Sequence, residues 1–172
     1  MSELNEVTWT TLASRVMRAL LTRKGVSYAE LADALESEGI SETARSVEGK
    51  IQRGALKCSF FLQALHAVNA EYPMQWRNAI ATRGTWEQRA SRLLQAEMSA
   101  RPSVTVAELG RRLQAIGVNI APPSLNEQIA MGTYSLTLLL QCAAVLSMAG
   151  IERFVDQTDL LAAAAATTSA AR

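Results

Sequence analysis

The chain has 172 residues, of which 49% are apolar and 5% aromatic, and its formal net charge is +1. This length fits one or two small domains with ample apolar material for packed cores, and abundant Ala and Leu favour helices over sheets. A near-zero net charge excludes a uniformly basic nucleic-acid-coating protein, so any such footprint must be local.

Taken in chain order, the acidic start Met-Ser-Glu-Leu-Asn-Glu lacks the basic start and apolar run of a signal peptide. Thr8 is expected to cap a helix beginning at Trp9, with Leu12, Val16, Ala19 and Leu20 on one face and Gly25 closing it. Ser27-Tyr28-Ala29-Glu30 reads as a capping box, and Leu31 and Leu35 mark the buried face of the helix it opens. Gly39 stops that helix, and Gly39-Ile40-Ser41-Glu42 forms a turn. A third helix is expected from Thr43 to Arg53, ended by Gly54, with Val47 and Ile51 facing a core. Ser59 is expected to cap a fourth helix, Phe60 to Val68, which is apolar almost all round and predicts a core element. Residues 73–84 read as a connector with a short helix through Met74-Gln75-Trp76.

The pattern then restarts. Thr85 precedes Trp86 as Thr8 precedes Trp9, and Thr105-Val106-Ala107-Glu108 repeats the capping box. Residues 27–68 align without a gap on residues 105–146, an offset of 78 (105 minus 27). Leu31 falls on Leu109, Gly39 on Gly117, Ile51 on Ile129, Gly54 on Gly132 and Gln63 on Gln141. Two copies spaced this widely are expected to form tandem domains rather than a solenoid. The boundaries read as 1–72 for copy one, 73–84 for the connector, 85–161 for copy two and 162–172 for an Ala-rich tail that extends a helix or frays.

A helix, a short Gly-containing turn and a second helix with a polar, basic surface read as a helix-turn-helix. The expected fold is therefore all-α, two small helical domains each with that core. In copy one, Thr43, Arg45 and Ser46 are candidates for base edges, because the N-terminal residues of such a helix lead into the groove. Gln52 is a later base candidate, and Lys50, Arg53 and Lys57 are phosphate candidates. Ser27 and Tyr28 lie at a helix N-terminus able to hold a phosphate, near Arg23 and Lys24 in sequence. Copy two keeps caps, leucines and glycines but has Pro123, Gln128 and Met131 where copy one has Arg45, Lys50 and Arg53.

Trp9, Val26 to Ala32, Lys50 to Gly54 and Phe60 to Leu65 resemble a short bacterial domain of unknown function in the broad helix-turn-helix class that includes lambda-type repressors. Copy two matches through Trp86, Val104 to Leu109 and Leu138 to Gln141. The resemblance implies a small helical DNA-binding fold and no named activity.

No catalytic constellation, phosphate loop or zinc spacing stands out, so neither an enzyme nor a cofactor or metal is expected. The single histidine, His66, sits on an apolar helix and is expected to pack. Cys58 and Cys142 are expected to be buried, reduced thiols. The longest apolar run, residues 136–150, contains Gln141 and is short for a bilayer, so a cytoplasmic protein is expected. The expected function is sequence-specific binding of double-stranded DNA through the major groove by a transcriptional regulator. Copy two then supports a homodimer, with Ala130, Met131 and Tyr134 as contact surface, or completes a pseudo-dimeric monomer. The alternative is a protein-interaction module on the same fold.

Overall fold

The computed structural model describes the backbone of residues 2–170 and the side chains of residues 8–169. Every regular element among the described residues is a helix, and they contain no β-strand. Copy one comprises α1 (Ser2–Lys24), α2 (Tyr28–Ser37), α3 (Ala44–Arg53) and α4 (Cys58–Ala67). A 3-10 turn, Met74–Trp76, and the short α5 (Arg77–Ala81) follow. Copy two comprises α6 (Trp86–Ser99), α7 (Val106–Ala115), α8 (Pro122–Met131) and α9 (Leu136–Leu146). A second 3-10 turn, Ile151–Arg153, leads to α10 (Gln157–Ala170). The Ala-rich tail is thus helical through Ala170, and Ala171 and Arg172 lie outside the described residues.

Local chemistry sets most boundaries. The Ser27 hydroxyl accepts from the Glu30 N–H at 3.1 Å, and the Glu30 carboxylate accepts from the Ser27 N–H at 2.8 Å, closing the expected box. Thr85 and Gln88 form the same reciprocal pair at the start of α6. Thr105 caps α7 through the Glu108 N–H, but the Glu108 carboxylate turns to Arg111 and Arg112 instead of back to the cap. Two expected caps are corrected. Thr8 lies inside α1, because the helix already runs from Ser2. Ser59 lies inside α4 and is buried, because the extended residue ahead of that helix is Lys57.

The two copies share one core and are interlocked. Within each copy the leading helix packs on the third, α1 on α3 and α6 on α8. Each leading helix also packs on the closing helix of the other copy, α1 on α9 and α6 on α4. Phe61, Leu62 and Leu65 of α4 and Leu138, Leu139 and Leu140 of α9 are buried in the shared core. Each such side chain contributes about 1.5–3 kcal/mol.

Residues 73–84, read as a connector, are part of this packing. Trp76 is fully buried, and its indole N–H donates to Glu97 Oε1 at 2.7 Å. Glu97, itself buried, is paired with Arg101 at 3.0 Å, and Arg101 also caps the end of α9 at the Leu146 carbonyl. A carboxylate taken out of water persists only when paired and hydrogen-bonded in this way.

Equivalent residues meet each other. Lys57 and Ser135, related by the 78-residue offset, form an antiparallel bridge. It is made by Cys58 N–H to Tyr134 C=O at 3.0 Å and Leu136 N–H to Leu56 C=O at 2.9 Å. Trp76 and Phe154, also related by that offset, stack with ring centroids 5.8 Å apart. Gln75 donates to the Ala149 carbonyl while Arg153 donates to Glu71, the reciprocal contact. A residue can touch its own equivalent only near a two-fold axis. The copies are therefore related by an approximate internal dyad.

Candidate nucleic-acid interface

α3 owes its orientation to two apolar positions. Val47 and Ile51 are fully buried, four residues apart on one side. The side opposite them carries Arg45, Gly49, Gln52 and Arg53, with Arg45, Gln52 and Arg53 exposed. The Thr43 hydroxyl caps the helix, accepting from the Ser46 N–H at 3.1 Å. Gly54 ends it with φ +64°, and its Cα faces the Thr10 carbonyl of α1 so closely that a Cβ would lie 1.8 Å from that oxygen.

The expected site residues divide into two groups. Arg45 and Arg53 make no hydrogen bond or ion pair with the described residues, and they stand one turn either side of Gly49. Arg53 lies back along the helix, its guanidinium 3.0 Å from where a Gly49 Cβ would stand. Gln52 donates to Glu48 at 3.0 Å at the edge of this face.

The second group is engaged within the chain. Ser46 donates to Glu42 Oε2 at 2.7 Å, and Lys50 pairs with the other oxygen of the same carboxylate. The Lys50 ammonium also lies 4.8 Å from the centre of the Phe60 ring. Burial tends to raise the Glu42 carboxyl, but hydrogen bonds from Lys50 and Ser46 and the Lys50 charge outweigh it and hold it below its usual value. Lys57 donates to the Thr133 carbonyl at 2.9 Å, across the dyad. The N-terminus of α2 is closed as well, since Ser27 is occupied by its capping box and Glu30 places a carboxylate there. Arg23 donates to the Arg153 carbonyl and Lys24 to the Asn69 carbonyl. Tyr28 instead borders a shallow groove with Arg18 and Thr22.

Copy two presents a different face at the same positions. Pro123, Glu127, Ala130 and Met131 replace Arg45, Gly49, Gln52 and Arg53, and all four are exposed. The expected contact residue Tyr134 is corrected: it is fully buried, its hydroxyl donating to the Ala90 carbonyl at 2.7 Å.

The sequence reading overlooked Gly49, although its position opposite Val47 and Ile51 marks it as the middle of the exposed face. It also overlooked Glu42, whose acid in the turn four residues before Ser46 and eight before Lys50 was the available signal.

The remaining candidates for chemistry are accounted for by packing. His66 is at the surface rather than in the core, with Nε2 3.3 Å from Glu38 and its ring 5.4 Å from that of Trp86. Cys58 and Cys142 are buried and free. Burial pushes the Cys58 thiol up to about 12 despite a hydrogen bond with Tyr134 that lowers it, and burial pushes Cys142 up too. Among the described residues no group of three or more His, Cys, Asp or Glu side chains is placed to hold a metal ion, and no helix is long and apolar enough to cross a membrane.

The described residues form a tandem, all-helical protein in which α3 presents a polar face with two exposed guanidiniums. A family profile for a domain of unknown function (DUF6471) matches residues 9–72 and again residues 86–151. The chain belongs to that family and contains its domain twice. No curated protein and no solved structure matches the chain.

Proposed function

We propose that the chain is a sequence-specific double-stranded DNA-binding protein of the helix-turn-helix class, acting as a transcriptional regulator. In this reading α3 of copy one enters the major groove. The observation that carries it is the α3 face itself, where two uncommitted guanidiniums flank a residue without a side chain. Guanidinium groups supply both phosphate neutralisation and bidentate contacts to guanine, and once Arg53 swings off Gly49 to meet a phosphate, the glycine lets the helix backbone approach closely. Arg45, near the N-terminus of α3, takes the base-reading role together with Thr43, whose hydroxyl hydrogen is still available. Arg53, at the other end, takes phosphate. Gln52 joins either by leaving Glu48. Ser46, Lys50 and Lys57 hold the unit together rather than contact DNA.

The test is selection of bound fragments from sheared genomic DNA near physiological salt, with wild type and Arg45→Ala side by side. One shared motif for the wild type is expected, with about 1–3 kcal/mol of discrimination lost at one position in the variant. Failure to enrich any fragment with folded protein would reject the reading. It would favour the alternative, a protein-interaction module, for which the exposed Met131 beside Ala130 is the supporting observation.

A further inference from the structure

We infer that one chain, alone, reads a single non-palindromic DNA half-site, its internal dyad replacing the homodimer that such readers commonly form. The inference rests on the DNA-binding reading above and adds the form of the target and the stoichiometry.

Three observations converge on it. First, the dyad is internal: Lys57 meets Ser135, Trp76 meets Phe154, and the Gln75–Ala149 and Arg153–Glu71 contacts are reciprocal. Second, the surfaces that would pair two copies are already covered within the chain, α1 by α9 and α4 by α6. A second chain has no vacant equivalent of that interface to occupy. Third, the two related helices have opposite electrostatics. The α3 face carries Arg45 and Arg53, whereas the α8 face carries Glu127 and no cation.

The consequence follows from counterion physics. Each cation set against a phosphate releases a counterion and strengthens binding, while an uncompensated carboxylate facing the same backbone repels it. A symmetric reader would need α8 to repeat the contacts of α3 on a second half-site. Pro123, Glu127 and Met131 cannot make them. α8 therefore adds structure to the reader without adding contacts, and a palindromic target would gain it nothing over a single half-site.

The experiment uses the full chain and randomised duplexes about three helical turns long, at physiological salt, with native mass of the complex on the enriched duplex. One asymmetric motif and one chain per duplex are expected. Arg53→Ala should lower the slope of log affinity against log salt by about 0.9, whereas Asn126→Ala on α8 should leave affinity within about twofold. A variant combining Pro123→Arg, Glu127→Gly and Met131→Arg should convert the selected motif into two inverted copies of the wild-type one. An inverted-repeat motif selected by the wild type, or two chains on one saturated motif, would overturn the inference while leaving DNA binding intact. No enrichment by the wild type would instead remove the DNA-binding reading, and this inference with it. Should the triple variant fail to fold, the symmetry of the wild-type motif and the mass of its complex still decide.

Discussion

Glu42 shows how one turn residue decides which cations of copy one face outward. Its two carboxylate oxygens take Ser46 and Lys50, and the Lys50 ammonium lies over the Phe60 ring. Lys50→Ala should therefore act mainly on stability. It leaves a largely buried carboxylate without its cation, at a cost of about 1–2 kcal/mol after allowing for the exposure of the lysine. Urea unfolding measures this, and an unchanged midpoint would mean that the ion pair contributes nothing. Single residues were the level least legible in the sequence. Trp9 and Trp86 occupy matching positions, yet Trp9 is buried while Trp86 is partly exposed, with Arg89 over its ring at 4.2 Å and His66 beside it. His66 reaches Trp86 from the other copy, and periodicity holds no information about such a neighbour. Likewise the lysines at 50 and 57 looked free because their acceptors, a turn carboxylate and a carbonyl of the other copy, lie off the helix that bears them.

At the scale of elements, the helices were legible wherever a boundary is set by local chemistry. The caps Ser27, Thr43, Thr85 and Thr105, the prolines opening α8 and the glycines ending α3 and α8 are read from neighbours within a few residues. Ser59 failed as a cap because the bridge between Lys57 and Ser135 fixes the chain just before it and α4 begins earlier. Gly54 serves two demands at once, a left-handed φ and close approach to α1. Gly54→Ala should cost about 1–2 kcal/mol for the backbone alone, with more for displacing α1 from the Thr10 carbonyl. A shift of less than 1 °C in melting temperature would contradict this packing. A second element carries a pH signature. At the first turn of α7, hydrogen bonds from Arg111 and Arg112 and their charges hold the Glu108 carboxyl at about 2, against an ordinary 4.5. Because the folded value is depressed, the stabilisation is present above pH 4.5 and is lost progressively as the pH falls towards 2. Glu108→Gln should remove that part of the acid dependence while leaving the melting curve near pH 7 without a pH slope. An identical wild-type and variant pH profile between those limits would show that the pairing does not persist in solution.

For the whole molecule, the duplication was legible and the interlocking was not. An offset of 78 follows from aligned glycines, leucines and caps, because both copies must solve the same local problems. Which closing helix each leading helix packs against depends on the path of residues 73–84, and apolar faces alone fit either choice. The exchanged packing has a thermodynamic consequence. If α1 depends on α9 and α6 depends on α4, neither copy has a complete core of its own, and the chain should unfold in one step. Leu62→Ala in copy one and Leu140→Ala in copy two remove equivalent buried side chains, each worth about 2–5 kcal/mol. Both should lower the same single transition, by roughly 5–15 °C, with circular dichroism and tryptophan fluorescence coinciding. Independent domains would behave otherwise, since each substitution would shift its own transition and leave the other in place. A fragment of residues 1–84 sharpens the contrast. As a monomer it lacks the partner of α1, but two such fragments can supply each other's missing helix through the dyad, α4 of one against α1 of the other. Its helicity should therefore depend on concentration and rise with dimer formation in sedimentation. A fragment that is folded and monomeric at micromolar concentration would show that copy one closes its own core.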